Sequence, residues 1–364
     1  MPLSWNIVYL VLFAQALAVG LALVPPAERV GRRLGLIDAP GERKIHSAPV
    51  PRSGGIGIVA ALTLVVAMDV GAALLLESYT DFLPDDVRLF VSNIPSILHR
   101  LIGIGAGGAV VFALGLVDDR RPLRPGLKFA VQGLAALLLV AAGIRVNLFL
   151  PLPVLGVAVT VFWVILICNS FNLLDNMNGL SSGVAAIIAG LLAWISWSSG
   201  ERFMVCIYLA LAGSILGFWF HNFFGGRIFL GDAGSLFIGF MLAALSVLST
   251  YYERGAPTPF PVLIPLMVMG VPIFDTASVL WIRLRLGRPL FVGDTNHFSH
   301  RLVALGMSRR GAVVFIYLVT FVVGLNAVQL KHLPMGPALV LAAQTALIFL
   351  LIYLLERASR RRHP

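Results

Sequence analysis

Charged residues fill only 12% of the 364 positions, against 59% for hydrophobic ones. A soluble domain carries roughly twice that share of charge, so an ordinary water-facing globule is excluded. Cysteine occurs twice, as Cys168 and Cys206, and both lie inside apolar runs. That leaves no framework for disulfides or structural zinc, and the thiols read as small hydrophobes. The strict polar–apolar alternation of a membrane β-barrel is missing as well, and no repeat or low-complexity segment breaks the chain.

What the sequence has instead is long apolar runs and a mean hydropathy of +0.92. They predict an all-α polytopic membrane protein with about eleven spans, at roughly 4–24, 54–76, 99–117, 127–144, 154–171, 180–198, 203–221, 233–251, 260–281, 311–330 and 335–355. A single domain over 1–364 with a basic tail from 356 is the simplest organisation. Arg29, Arg32, Arg33, Arg43, Lys44 and Arg52 follow the first span, Arg120, Arg121, Arg124 and Lys128 the third, and Arg283 to Arg310 the ninth. By the positive-inside rule that face is cytoplasmic, with the N-terminus outside and the C-terminus inside. The net charge of +10 is thereby explained by membrane orientation and not by nucleic acid. No basic residue precedes the first apolar run, so it reads as a retained span and not a signal peptide. The glycine-rich stretch 103–108 lies within a span with no strand before it and suits close helix packing, as do Gly213 and Gly217. Residues 77–97 read as the longest external loop, carrying a short surface helix.

Polar residues that a membrane would normally reject gather in the loops of the cytoplasmic side. Asp118 and Asp119 close the third span; they suit a proton acceptor or a metal ligand, or else a salt-bridged helix end. Asn169, Asn172, Asp175 and Asn178 recur every third position. At about 100° per residue they cannot share one face of a straight helix, so the helix must end or distort within the run, and Gly179 and Gly183 permit it. Their oxygens match the hard ligands that magnesium prefers, or serve as caps and packing groups. Asp232, in the run Phe229 to Ser235, stands at the entrance of the eighth span between glycines that let backbone N–H groups reach a phosphate; a plain N-cap is the alternative. His297, His300 and Arg301, with Asp294, suit a diphosphate clamp or a zinc site. Asp275 sits inside the ninth span, where an internal hydrogen bond or a kink near Pro272 accounts for it better than catalysis. Arg43, Lys44, His46 and Arg52 could grip a diphosphate or lipid headgroups.

In order and spacing, Arg43 to His46 with Pro51 to Gly55, Gly115 to Asp119 with Lys128 to Gln132, Asn169 to Leu180, Phe229 to Ser235 and His297 to Leu302 resemble the polyprenyl-phosphate N-acetylhexosamine-1-phosphate transferases. The likeness is nearer to the undecaprenyl-phosphate GlcNAc-1-phosphate branch than to the phospho-MurNAc-pentapeptide translocases, because three consecutive histidines are missing from the last loop. It implies ten or eleven helices, a UDP-amino-sugar, a polyprenyl phosphate, and Mg2+ with Mn2+ as a substitute, at the cytoplasmic face of the inner membrane. A homodimer is one option, and nucleic acid has no part.

The resemblance also assigns roles. Asp118 and Asp119 are the acids linked with activating the lipid phosphate, Asp232 is the metal carboxylate, and Phe229 is the uracil-stacking ring. Asn172, Asp175 and Asn178, after Asn169, form the nucleotide and metal edge. Lys44, His46, Lys128, His297, His300 and Arg301 are substrate contacts. Two departures stand out: Asp175-Asn176-Met177-Asn178-Gly179 replaces Asp-Gly-x-Asp-Gly, and Ser299 stands where the GlcNAc branch has a further histidine. A transporter or flippase, or a regulatory protein on an altered transferase scaffold, are the rival readings. The carboxylates at span ends, with no internal repeat, argue against transport.

Overall fold

The computed structural model describes residues 5–39, 48–77, 84–146, 152–251, 258–291 and 296–360. Hydropathy dictates the architecture, because in a bilayer the backbone must satisfy its own hydrogen bonds and the apolar runs can do so only as helices. They are α1 (Trp5–Arg33), α2 (Gly54–Leu76), α3 (Asp85–Arg120), α4 (Pro125–Ala141), α5 (Pro153–Leu174), α6 (Leu180–Ser198), α7 (Arg202–Phe223), α8 (Gly231–Leu248), α9 (Ile264–Val268), α10 (Gly270–Arg285), α11 (Phe298–Ala304), α12 (Arg309–Gln329) and α13 (Met335–Arg360). Among the described residues nine helices are long and apolar enough to cross a membrane. Counting the bent pair Phe260–Val268 and Gly270–Arg285 as one span makes ten, and Pro125–Ala141 is a shorter apolar helix. The chain is a multi-pass helical membrane protein.

The kink expected near Pro272 is present, and one expectation is corrected. The ninth span is broken: its two halves bend by 69° at Met269, three residues before Pro272. Residues 77–97 are not one external loop with a separate surface helix, because α3 begins at Asp85 and runs without interruption into the third span. Asp85 and Asp86 occupy its first turn, where negative charge complements the N-terminal end of the helix dipole.

Buried helices α6, α7 and α8 form the centre, and the other spans wrap around them. Small residues let backbones approach. Gly213 and Gly217 of α7 meet Ala16 and Gly20 of α1, and Gly107 of α3 faces the Phe240 ring of α8. The tightest contacts lie at the end of the bundle that holds Asp118 and Asp232. A β-carbon on Gly115 would stand 2.3 Å from the Cα of Ala233, and one on Gly55 would stand 2.4 Å from the amide nitrogen of Gly234. Side chains cannot yield there, because the obstacle is backbone. The start of α2, the end of α3 and the start of α8 are therefore locked against one another. The Phe229 N–H donates to the Pro51 carbonyl at 2.8 Å, and the Gly54 N–H to the Phe229 carbonyl at 2.8 Å. A two-residue antiparallel pairing, Ile37 with Pro51 and Asp38 with Val50, ties the segment after α1 into the same corner.

Candidate active site

Lys128 organises this corner. Its Nζ forms a close ion pair with Asp118 Oδ2 and reaches Asp232 Oδ2 at 3.4 Å, so one ammonium links α3, α4 and α8. Asp118 is buried, and its other oxygen accepts the Leu123 N–H at 2.8 Å. A cation between two carboxylates this near each other offsets their repulsion. On the far side of Asp232, Asn172 Nδ2 donates to Oδ1 at 2.9 Å and to Ser235 Oγ at 3.1 Å.

Asp119 has a different task from its neighbour. Oδ1 accepts the Asp232 N–H at 2.9 Å and Oδ2 the Ala233 N–H at 3.0 Å, so this side chain caps α8 from another helix. The cap that Asp232 could have supplied itself is thus provided by Asp119, which leaves the Asp232 carboxylate outside the helix end. Gly231, with φ of 74°, makes the turn possible, and a β-carbon there would stand 2.7 Å from Asp119 Oδ2.

The polar run after α5 breaks where the helical period requires. The helix ends at Leu174, Asp175 to Asn178 form a turn, and Gly179 with φ of 78° stands just before α6 as its cap. Gly183 takes no part in the break; it lies within α6 against the Tyr317 ring. Asn222 holds the turn in place: it accepts the Gly179 N–H and donates to the Ile228 carbonyl at 2.7 Å. Tyr317 donates to the Gly179 carbonyl at 2.5 Å. Asn178 is exposed on this turn beside Gly226. The Asp175 N–H donates to the Asn172 carbonyl at 3.3 Å, but its carboxylate has no hydrogen bond or ion pair among the described residues. Burial pushes its carboxyl up to about 8, and the charges of Asp232 and Asp119 add to the shift while Arg52 opposes it. Asn169 lies one turn deeper, donating to the Gln132 side chain and to the Ile165 carbonyl, each at 2.7 Å.

The histidine segment arrives from α10 and α11. His297 precedes the first residue of α11, and its ring lies 6.3 Å from that of His300. Arg301 points elsewhere. Its guanidinium donates to Ser278 Oγ at 2.9 Å and to the Asn296 carbonyl, and its Nε stands 2.9 Å from Glu356 Oε2 of α13. These contacts make Arg301 a brace for α11. Ser299 donates to Asn176 Oδ1 at 2.5 Å and so joins α11 to the Asp175 turn. Lys44, His46, Arg43 and Asp294 lie outside the described residues. Arg52 forms a close ion pair with Asp38.

The sequence thus marked Asp118, Asp119, Lys128, Asn172, Asp175 and Asp232, and the structure brings them together. It did not mark Asn222, Ser235, Tyr317 or Glu356 for their parts here. A buried amide near the end of an apolar helix was the available signal for Asn222. Among the described residues no three His, Cys, Asp or Glu side chains converge to enclose a metal. Such a cage is not what magnesium uses: one or two carboxylates plus substrate phosphates and waters are its usual ligands, and Asp232 with the unpartnered Asp175 fits that pattern.

A model of glycosyl transferase family 4 matches residues 101–250, which hold Asp118, Asp119, Asp175 and Asp232. A Bacillus subtilis (strain 168) protein named "Probable undecaprenyl-phosphate N-acetylglucosaminyl 1-phosphate transferase" is 31% identical over 329 residues, covering 88% of this chain and 84% of its own. The decaprenyl-phosphate N-acetylglucosaminephosphotransferase of Mycobacterium tuberculosis (strain ATCC 25618 / H37Rv) is 33% identical, covering 83% and 77%. The undecaprenyl-phosphate alpha-N-acetylglucosaminyl 1-phosphate transferase of Escherichia coli (strain K12) is 25% identical, covering 91% and 87%. With this similarity running nearly end to end, the chain belongs to glycosyl transferase family 4, in its polyprenyl-phosphate N-acetylhexosamine-1-phosphate transferase branch.

Proposed function

We propose that this protein transfers N-acetylhexosamine 1-phosphate, with GlcNAc 1-phosphate preferred, from a UDP-sugar to polyprenyl phosphate and releases UMP. The reaction takes place at the cytoplasmic face of the plasma membrane and opens the synthesis of an envelope glycan. The observation that carries this reading is the Asp118–Lys128–Asp232 bridge at the mouth of three locked helices, with Asn172 and the unpartnered Asp175 beside it. The names of the relatives support the sugar and the lipid.

An oxygen of the lipid phosphate attacks the sugar-bearing phosphorus of the diphosphate. A new P–O bond forms as the bond to the UMP oxygen breaks, and UMP leaves with the electron pair. A phosphate monoester has its second pKa near about 6, so the nucleophile is already largely ionised at neutral pH. The protein's work is to hold two anions together and to neutralise charge as it moves. Lys128 supplies the fixed cation, and Asp118 holds it in place. Asn172 orients the Asp232 carboxylate, and Asp232, Asp175 and the Asn178 amide would hold Mg2+, or Mn2+ in its place. The metal, when bound, supplies Lewis-acid stabilisation of the phosphoryl oxygens. Phe229 and Asn169 stand on the nucleotide side, and His297 and His300 meet the diphosphate together with Lys44 and His46.

The test is UMP release by the purified chain in lipid nanodiscs with undecaprenyl phosphate, Mg2+ and a panel of UDP-sugars. Release with UDP-GlcNAc is expected, and Asp232→Asn should abolish it. Silence across the whole panel would overturn the reading.

A further inference from the structure

Asp275 is a carboxylate with no exposure to solvent, set on α10 in the interior of the bundle. An ionised group in such a place is retained only where its interactions hold it. Both oxygens are engaged by one short segment. Oδ2 lies 3.0 Å from His297 Nδ1, and Oδ1 accepts the Phe298 N–H at 2.6 Å. The side chain therefore fixes the imidazole ring and the backbone next to it at the same time. With the Asp275 carboxyl ionised, it accepts this contact and the proton sits on Nδ1. The second ring nitrogen, Nε2, has no hydrogen-bond partner among the described residues, although His297 is 95% buried by the packing around it (5% exposed). An orienting carboxylate behind one nitrogen and a free nitrogen in front is the arrangement by which proteins dictate which edge of a histidine meets a ligand.

We propose that Asp275 is a positioning residue of the transfer reaction, acting through His297 by holding Nδ1 and presenting Nε2 to the diphosphate of the nucleotide-sugar. This rests on the proposed function, and it adds a residue that the paired acids, the Asp175 turn and the α8 entrance do not include. The same contact sets the angle of α11, because the Phe298 amide is gripped by the same carboxylate. Ser299 then latches α11 to Asn176, so the histidine edge and the Asp175 turn share one alignment.

The test is a double-mutant cycle in the UMP-release assay. His297→Ala and Asp275→Asn should each raise the KM for UDP-GlcNAc by about tenfold to a hundredfold, the range expected on losing a hydrogen bond to a charged group. The KM for undecaprenyl phosphate should stay within about twofold. In the double variant the second change should add almost nothing, because Asp275 acts only through the ring. Multiplicative effects would overturn the proposal, as would an unchanged KM for UDP-GlcNAc in Asp275→Asn. An unchanged KM in His297→Ala would instead remove the histidine from the diphosphate site.

A second measurement does not depend on turnover or on a folded variant at position 275. In 15N-histidine-labelled protein, the resonances of His297, identified by their loss in His297→Gln, should report a protonated Nδ1. The Nε2 signal should shift on addition of UDP-GlcNAc with Mg2+. A bare Nδ1, or an Nε2 signal indifferent to the nucleotide-sugar, overturns the inference. A protonated Nδ1 in a protein that releases no UMP with any sugar would sink the proposed reaction and leave the pairing standing.

Discussion

Asp119 and Asp232 are joined through the backbone, the carboxylate of the first accepting the amide N–H of the second at 2.9 Å. The other Asp119 oxygen takes the next amide along, so both oxygens are engaged by α8. A group so engaged holds the start of α8 and, through it, the position of Asp232. Asp119→Ala should lower stability by about 3 kcal/mol, a typical sum for two hydrogen bonds to a charged acceptor, and Asp119→Asn by about half that. Turnover should fall with stability, because the start of α8 loosens and Asp232 moves. The check is thermal unfolding in detergent beside the UMP-release assay. Lost turnover with an unchanged melting temperature would return Asp119 to the role of proton acceptor.

Arg301 and Glu356 offer a second contrast. Both side chains are only 6% exposed, so removing either partner strands a buried charge. Arg301→Ala should cost about 3–5 kcal/mol, in line with other broken buried pairs. The milder Arg301→Lys keeps the charge but loses the fork to Ser278 and Asn296; it should lower the melting temperature while the KM for the UDP-sugar stays near wild type. A raised KM with undiminished stability would place Arg301 on the substrate.

A pH dependence follows from Asp175. Its carboxyl is raised to about 8 in the folded protein from an ordinary value of 3.8, chiefly by burial. Between these values the folded chain keeps a proton that the unfolded chain has released, so stability without metal should decline as pH rises from about 4 to about 8 and level off above that. Asp175→Asn lacks the ionisation. Its advantage over wild type should be absent near pH 4 and complete above about pH 8. Melting curves in the presence of a chelator across this range would show it. A difference independent of pH would mean that the carboxyl titrates as an exposed one does.

Hydropathy made the spans readable, and the three-residue spacing from Asn169 to Asn178 made the end of α5 readable, because both depend only on local period. Distinctions between neighbours were harder. Asp118 and Asp119 are adjacent in sequence but about 100° apart around α3, so one faces Lys128 of α4 and the other the amides of α8. His297 and Arg301 share a motif, yet one is held by Asp275 and the other reaches Ser278 and α13. Such divergence is set by tertiary packing, which a linear pattern does not carry. The acidic first turn of α3 was hidden for a related reason: its charges lower the hydropathy of a segment that is helical all the same. Asn176, in the Asp175 turn, and Ser299, in the histidine segment, lie far apart in sequence with nothing to link them, yet the structure joins them by a hydrogen bond.

Where Gly115 meets Ala233 and Gly55 meets Gly234, main chain rests on main chain with no room for a methyl group. The carboxylates mounted on those segments are consequently referenced to a common rigid datum and not to movable side chains. Adaptation to a new sugar or lipid would then be confined to the peripheral segments around that datum, and a single methyl added at Gly115 should silence the enzyme for every substrate alike.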